Sequence, residues 1–161
     1  MTTDRDEQND RHLLLVITFT NLIETRMKHV IASFSKIPTG RLDFFHSHIA
    51  NNATISFGAK VKLIFAIAKV IGVRVDRNAF HVLLSRRNAF AHQDPVTSIR
   101  LGENPQGEPN VAYVVESLKG TGEMETITRK QAYLEFMRAH MTAQHDINAM
   151  LKAIESHNGA A

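Results

Sequence analysis

Apolar positions along this chain fall into five stretches of helical spacing and one stretch that alternates. From about His12 to Ile37, Leu15, Phe19, Leu22, Ile23, Met27, Val30, Ile31 and Phe34 recur with a helical period, and Pro38 with Gly40 ends the run. A shorter helix is expected over Leu42 to Ala50, with Phe45 and Ile49 on one face and the Asn51-Asn52 pair as its break. Ser56 is a suitable N-cap for a third helix, FGAKVKLIFAIAKVI, which should stop at Gly72. That segment is apolar around most of its circumference, which places it centrally in a bundle. Asp76 should cap a fourth helix, Arg77 to about His92, and Pro95 forces the chain out of it.

Between 95 and 127 the texture changes. GENPQGEPN at 102–110 is turn chemistry, VAYVVESL at 111–118 alternates with β-branched and aromatic residues, and KGTG separates it from EMETIT. A β-hairpin or small β-excursion is expected there. A last long helix follows from about Thr128 to Ser156, with Tyr133, Phe136, Met137, Met141, Ile147, Met150, Leu151 and Ile154 as its apolar positions. The predicted fold class is all-α, an antiparallel bundle of about five helices with a small β-hairpin inserted before the last. A chain of 161 residues fits one domain over 1–161, with 1–10 as a flexible lead and 95–127 as an excursion within it.

Composition changes this picture mainly by exclusion. The chain has no cysteine, which removes disulfides, cysteine-based zinc sites and thiol nucleophiles, and fits a reducing cytoplasm. The polar start MTTDRDEQNDRH reads as neither a signal nor a transit peptide. The run LLLVITF at 13–19 is far too short to span a bilayer, so no membrane partner is expected. A net charge of +3 permits a nucleic-acid partner without demanding one.

Candidate chemistry concentrates at the end of the fourth helix, SRRNAFAHQD at 85–94. On a wheel of about 100° per residue, Phe80, Leu83, Leu84, Phe90 and Ala91 share one side, and Arg87 is expected in the middle of it. His81, Asn88 and His92 line one edge, and Arg87 and His92 lie about 140° apart on a regular helix, able to share a groove but not to touch. A guanidinium on an apolar face stays charged and must meet an anion. That anion is either a carboxylate, with Glu24 and Asp43 as candidates, or a phosphate in a groove shared by two subunits. Spacing alone favours the structural pair. Arg86, with Lys60 and Lys62 on the third helix, gives a modest basic density that suits either an RNA-phosphate track or a solvated strip.

Other chemistry is thin. His46 and His48, with His29 or His12, lack the spacing of a ligand set, so no metal site is expected. Phosphate-loop, dinucleotide and serine-hydrolase motifs are absent, so no cofactor is expected. Glu123 and Glu125 are expected to be solvated.

The hexapeptide Arg87-Asn88-Ala89-Phe90-Ala91-His92 resembles the R-x(4–6)-H signature of HEPN domains (higher eukaryotes and prokaryotes nucleotide-binding). In that all-helical superfamily the signature ends a late helix, often with a polar residue directly after the arginine. The stretch ISFGAKVKLIFAIAKVIG at 55–72 is similar to the segment preceding the signature in the mannitol operon repressor family, itself HEPN-like. Together these cover residues 55 to 93, and the β-excursion departs from the simplest HEPN bundle.

The resemblance implies a metal-independent endoribonuclease acting as a symmetric homodimer, without a cofactor, in some cases a toxin held by an antitoxin. His92 would be general base on the ribose 2′-hydroxyl or general acid at the leaving oxygen. Arg87 would stabilise charge on the phosphate in the transition state, and Asn88 would orient His92 or the phosphate. The alternative is a non-catalytic transcriptional regulator or protein-binding module of the mannitol-repressor type, although the chain has no separate recognition helix of helix-turn-helix kind.

Overall fold

A helix of 31 residues, α1 (Asp4–Phe34), is the first element of the computed structural model, which describes residues 4–91, 99–103, 109–118 and 122–159. It begins well inside the expected flexible lead, because the segment from Asp4 to Arg11 carries no helix breaker. Its end is closed by backbone bonds from Ile37 N–H to Ala32 O (3.0 Å) and from Lys36 N–H to Ser33 O (3.2 Å), with Lys36 at φ 52°. The second helix is irregular: a 3-10 turn (Thr39–Arg41), one turn α2 (Leu42–Phe44), then a π-turn (Phe45–Ile49) closed by Ala50 N–H on Phe45 O at 2.8 Å. The wider turn breaks the expected shared face, so Phe45 is buried while Ile49 is 41% exposed.

Helices α3 (Phe57–Val70) and α4 (Arg77–Ala91) begin where their caps are expected. Ser56 Oγ accepts from Ala59 N–H (3.2 Å), and Asp76 Oδ1 accepts from Ala79 N–H (3.2 Å). Gly72, at φ 71°, closes α3 in the left-handed conformation that glycine adopts without a Cβ penalty. Pro95 and His92 lie outside the described residues.

The insertion before the last helix has three strands rather than two. β2 (Pro109–Leu118) pairs antiparallel with both β1 (Ile99–Glu103) and β3 (Met124–Thr128), with Leu101 opposite Val111 and Val115 opposite Ile127. Val114 and Val115 are buried, which seats the sheet against the helices rather than in solvent. Thr128 Oγ1 then caps α5 (Arg129–Gly159) by accepting from Gln131 N–H at 3.2 Å.

The protein is thus a bundle of five helices, among the described residues, with an antiparallel β-insertion before the last. α3 and α4 run antiparallel, with Gly58 beside Leu84 and Phe65 beside Phe80, and so do α4 and α5, with Asp76 near Asp146 and Arg86 near Glu135. α1 and α5 run parallel: His12 meets Tyr133, Phe19 meets His140 and Arg26 meets Asn148 in the same order. The core between them is built from Val16, Ile23, Met27 and Val30 of α1 against Phe136, Ala143, Ile147 and Met150 of α5. Leu22 and Met141, expected among the apolar positions, remain 48% and 67% exposed on the outside of that pair. No helix among the described residues is long and apolar enough to cross a membrane.

Candidate functional site

The buried arc of α4 consists of Ala79, Phe80, Leu83, Arg86, Ala89 and Phe90. Arg86, not Arg87, is therefore the arginine drawn into the core, with 8% of its surface exposed. The reason lies in what covers that flank. α5 and β3 close over it, so Arg86 Nε and Nη2 donate to Glu135 Oε2 (2.8 and 2.7 Å) and Nη1 donates to Glu125 Oε2 (2.7 Å). Glu125, expected to be solvated, is part of this clamp. Burial acts against the guanidinium's charge, but the hydrogen bonds to Glu125 and Glu135 outweigh it and hold Arg86 above its usual pKa. Arg86 is thus a tie between three elements and has no free face for RNA.

Arg87 is half-buried beside it and makes a different contact: its Nη1 donates to Asn88 Oδ1 at 3.0 Å. Among the described residues it forms no ion pair. Neither carboxylate expected for it is engaged with it. Glu24 is committed to Lys60, whose Nζ donates to Glu24 Oε1 at 2.7 Å and to Asn52 Oδ1 at 3.0 Å, while Asn52 Nδ2 donates to Glu24 Oε2 at 2.9 Å. Asp43 is exposed.

The same network corrects the expected basic track. Lys60 has no exposed surface, and an ammonium sealed between α1, the Asn52 turn and α3 cannot touch an RNA phosphate. Lys62 is exposed and remains free to do so. Arg87 and Asn88 are brought together; His92, the third residue of the signature, lies outside the described residues.

Of the histidines, His29 and His46 meet with ring centroids 5.0 Å apart and His48 packs on Phe44, but among the described residues no three His, Cys, Asp or Glu converge as metal ligands would. Burial, then the neighbouring His29 and Lys28, keeps His46 below its ordinary pKa, with Asp43 opposing.

A second cluster has no counterpart among the residues expected from the sequence. Arg129, the first residue of α5, lays its guanidinium over the Phe90 ring at 5.7 Å, while its Nε is buried without a hydrogen-bond partner. His12 on α1 stacks on Tyr133 of α5, with centroids 4.2 Å apart and planes 11° apart, and its buried Nδ1 also lacks a partner. Burial first, then Arg129, Arg11 and Lys130, depress the His12 pKa. Burial likewise depresses Arg129, opposed by Asp10 and Tyr113. One signal was available: a helix whose first residues are Arg129 and Lys130, with no acid in its first turn, places cations where the helix dipole disfavours them.

No family model, no curated protein and no solved structure matches this chain.

Proposed function

We propose that the protein is a HEPN-like, metal-independent endoribonuclease of the cytoplasm whose site lies at the end of α4. The observation that carries this reading is Arg87, held half-buried against Asn88 with no carboxylate paired to it among the described residues, five positions ahead of His92. The neighbouring arginine serves the fold. Arg87 is left with donors for an outside anion, and a guanidinium fork matches a phosphate.

In this scheme one His92 takes the proton of a ribose 2′-hydroxyl, and the 2′-oxygen attacks the adjacent phosphorus. The bond to the 5′-oxygen breaks, and that oxygen takes up a proton from the partner subunit's His92. Arg87 stabilises the charge that builds on the non-bridging oxygens, and Asn88 fixes the Arg87 side chain in place. The products are a 2′,3′-cyclic phosphate and a 5′-hydroxyl. Exposed Lys62 is left from the proposed basic track as a contact for the RNA backbone. A homodimer brings the two half-sites together, and an antitoxin-like protein is the natural restraint on such an activity.

The test is RNA cleavage by purified protein in EDTA. Cleavage that persists in EDTA and disappears in a folded His92→Ala variant is expected. A folded wild-type protein that leaves RNA intact would return the chain to the non-catalytic, regulatory reading.

A further inference from the structure

We infer that the end of the bundle where α1, α4 and α5 meet holds a phosphate-binding site built on Arg129 and His12. Both side chains have polar atoms withdrawn from water and left without a partner, Arg129 Nε and His12 Nδ1. His12 retains only 9% of its exposure. Buried polar atoms of a native protein are nearly always satisfied, so two orphans linked by Tyr133, which stacks on His12 one turn after Arg129, point to a group that arrives from outside. Among the described residues Arg129 has neither an ion pair nor a hydrogen bond, its described contact being the face of Phe90.

The surrounding charge indicates what that group is. Arg129 opens a helix of 31 residues, whose first-turn N–H groups form a positive pole. Lys130 follows it, and Arg11 lies one residue before His12, both exposed. The carboxylate that acts on Arg129 is Asp10, exposed and not in ion-pairing range. Guanidinium, imidazole, two flanking cations and a helix N-terminus suit a tetrahedral oxyanion carrying more than one charge better than a single carboxylate. The rings of Phe90 and Tyr133 hold the two side chains in place, Phe90 beneath the Arg129 guanidinium and Tyr133 against the His12 imidazole.

Phe90 lies three residues beyond Arg87 on α4, so the phosphate would sit next to the proposed cleavage site. Naming an RNA backbone as its source rests on the endoribonuclease reading; the phosphate itself does not.

The experiment is NMR of the full chain, following the Arg129 Nε–H and His12 ring resonances. The probes are inorganic phosphate and a single-stranded deoxyoctanucleotide, which has no 2′-hydroxyl to cut. Both are expected to shift these resonances where sodium chloride of equal ionic strength does not. Arg129→Gln should weaken oligonucleotide binding about tenfold, the scale of losing a charge-assisted hydrogen bond. Arg129→Lys, which keeps the charge, should fall between and guards against a folding defect in the first variant.

A response to the oligonucleotide, with or without one to phosphate, supports the site with a nucleic-acid backbone as source. A response to phosphate alone supports it for a small phosphorylated ligand and removes RNA as the source. Silence of both resonances in folded protein, or a folded Arg129→Gln that binds like wild type, overturns it. Because neither probe can be cleaved, a protein without nuclease activity still gives a clear answer.

Discussion

Two adjacent arginines with opposite roles make the sharpest contrast in this chain. Arg86 donates to Glu125 on β3 and Glu135 on α5, so replacing it leaves two partly buried carboxylates without their cation. Arg86→Met should cost about 2–4 kcal/mol in urea unfolding. Arg87→Met, which among the described residues breaks the bond to Asn88, should stay within about 1 kcal/mol of wild type. A reversal of that order would undo the assignment of the two residues. The Lys60–Glu24–Asn52 triangle is a second ionic feature of the interior. Lys60→Met leaves buried Glu24 with the longer Lys28 pair (3.8 Å) and the Asn52 bond and should cost about 2–4 kcal/mol, while Glu24→Leu combined with Lys60→Met should recover most of it. A double variant as unstable as the single one would show that the site needs its charges for another reason.

Regular elements follow from local chemistry where the signals are strong. Ser56, Asp76 and Gly72 mark the ends of α3 and α4 because capping is decided by one side chain or one φ angle. The π-turn at Phe45–Ile49 and the strand β1 are tertiary outcomes, and IRLGE is too short to declare its pairing with β2 alone. At the end of α1, Lys36 occupies the left-handed position that α3 gives to Gly72. Lys36→Gly should therefore stabilise the fold by about 0.5–1 kcal/mol, read as a rise of roughly 2 °C in Tm.

The parallel α1/α5 pair carries an acid sensitivity. His140 is buried between Phe19 and Phe136, and burial, then Arg26, sets its pKa below the ordinary 6.5; His12 is depressed as well. Above about pH 6.5 both states hold these rings neutral. As pH falls through that value the unfolded chain takes up protons first, so stability declines. Unfolding free energies between pH 7.5 and 5.5, as an experimental range, should show that decline for wild type and a shallower one for His140→Phe.

The arrangement of helices and insertion was legible in periodicity and turn chemistry. The site was legible only in part. Helical period alone puts Arg87 deepest, because it carries no sign that α5 and the β-insertion close over the Arg86 flank. Lys60 is expected on an exposed strip, phosphate-binding or solvated, because Glu24, 36 residues earlier in the chain, gives no local sign of being its partner. Arg129 and His12 come together through the parallel docking of α1 on α5, which no spacing along the chain encodes. Arg87 bonds to Asn88 and has no carboxylate partner among the described residues. End-group analysis of RNA incubated with the protein in EDTA tests its proposed role most directly. Wild type is expected to leave 2′,3′-cyclic phosphate and 5′-hydroxyl ends, and a folded Arg87→Met to leave none. Intact RNA, 3′-hydroxyl ends, or unchanged cleavage by Arg87→Met would contradict that role.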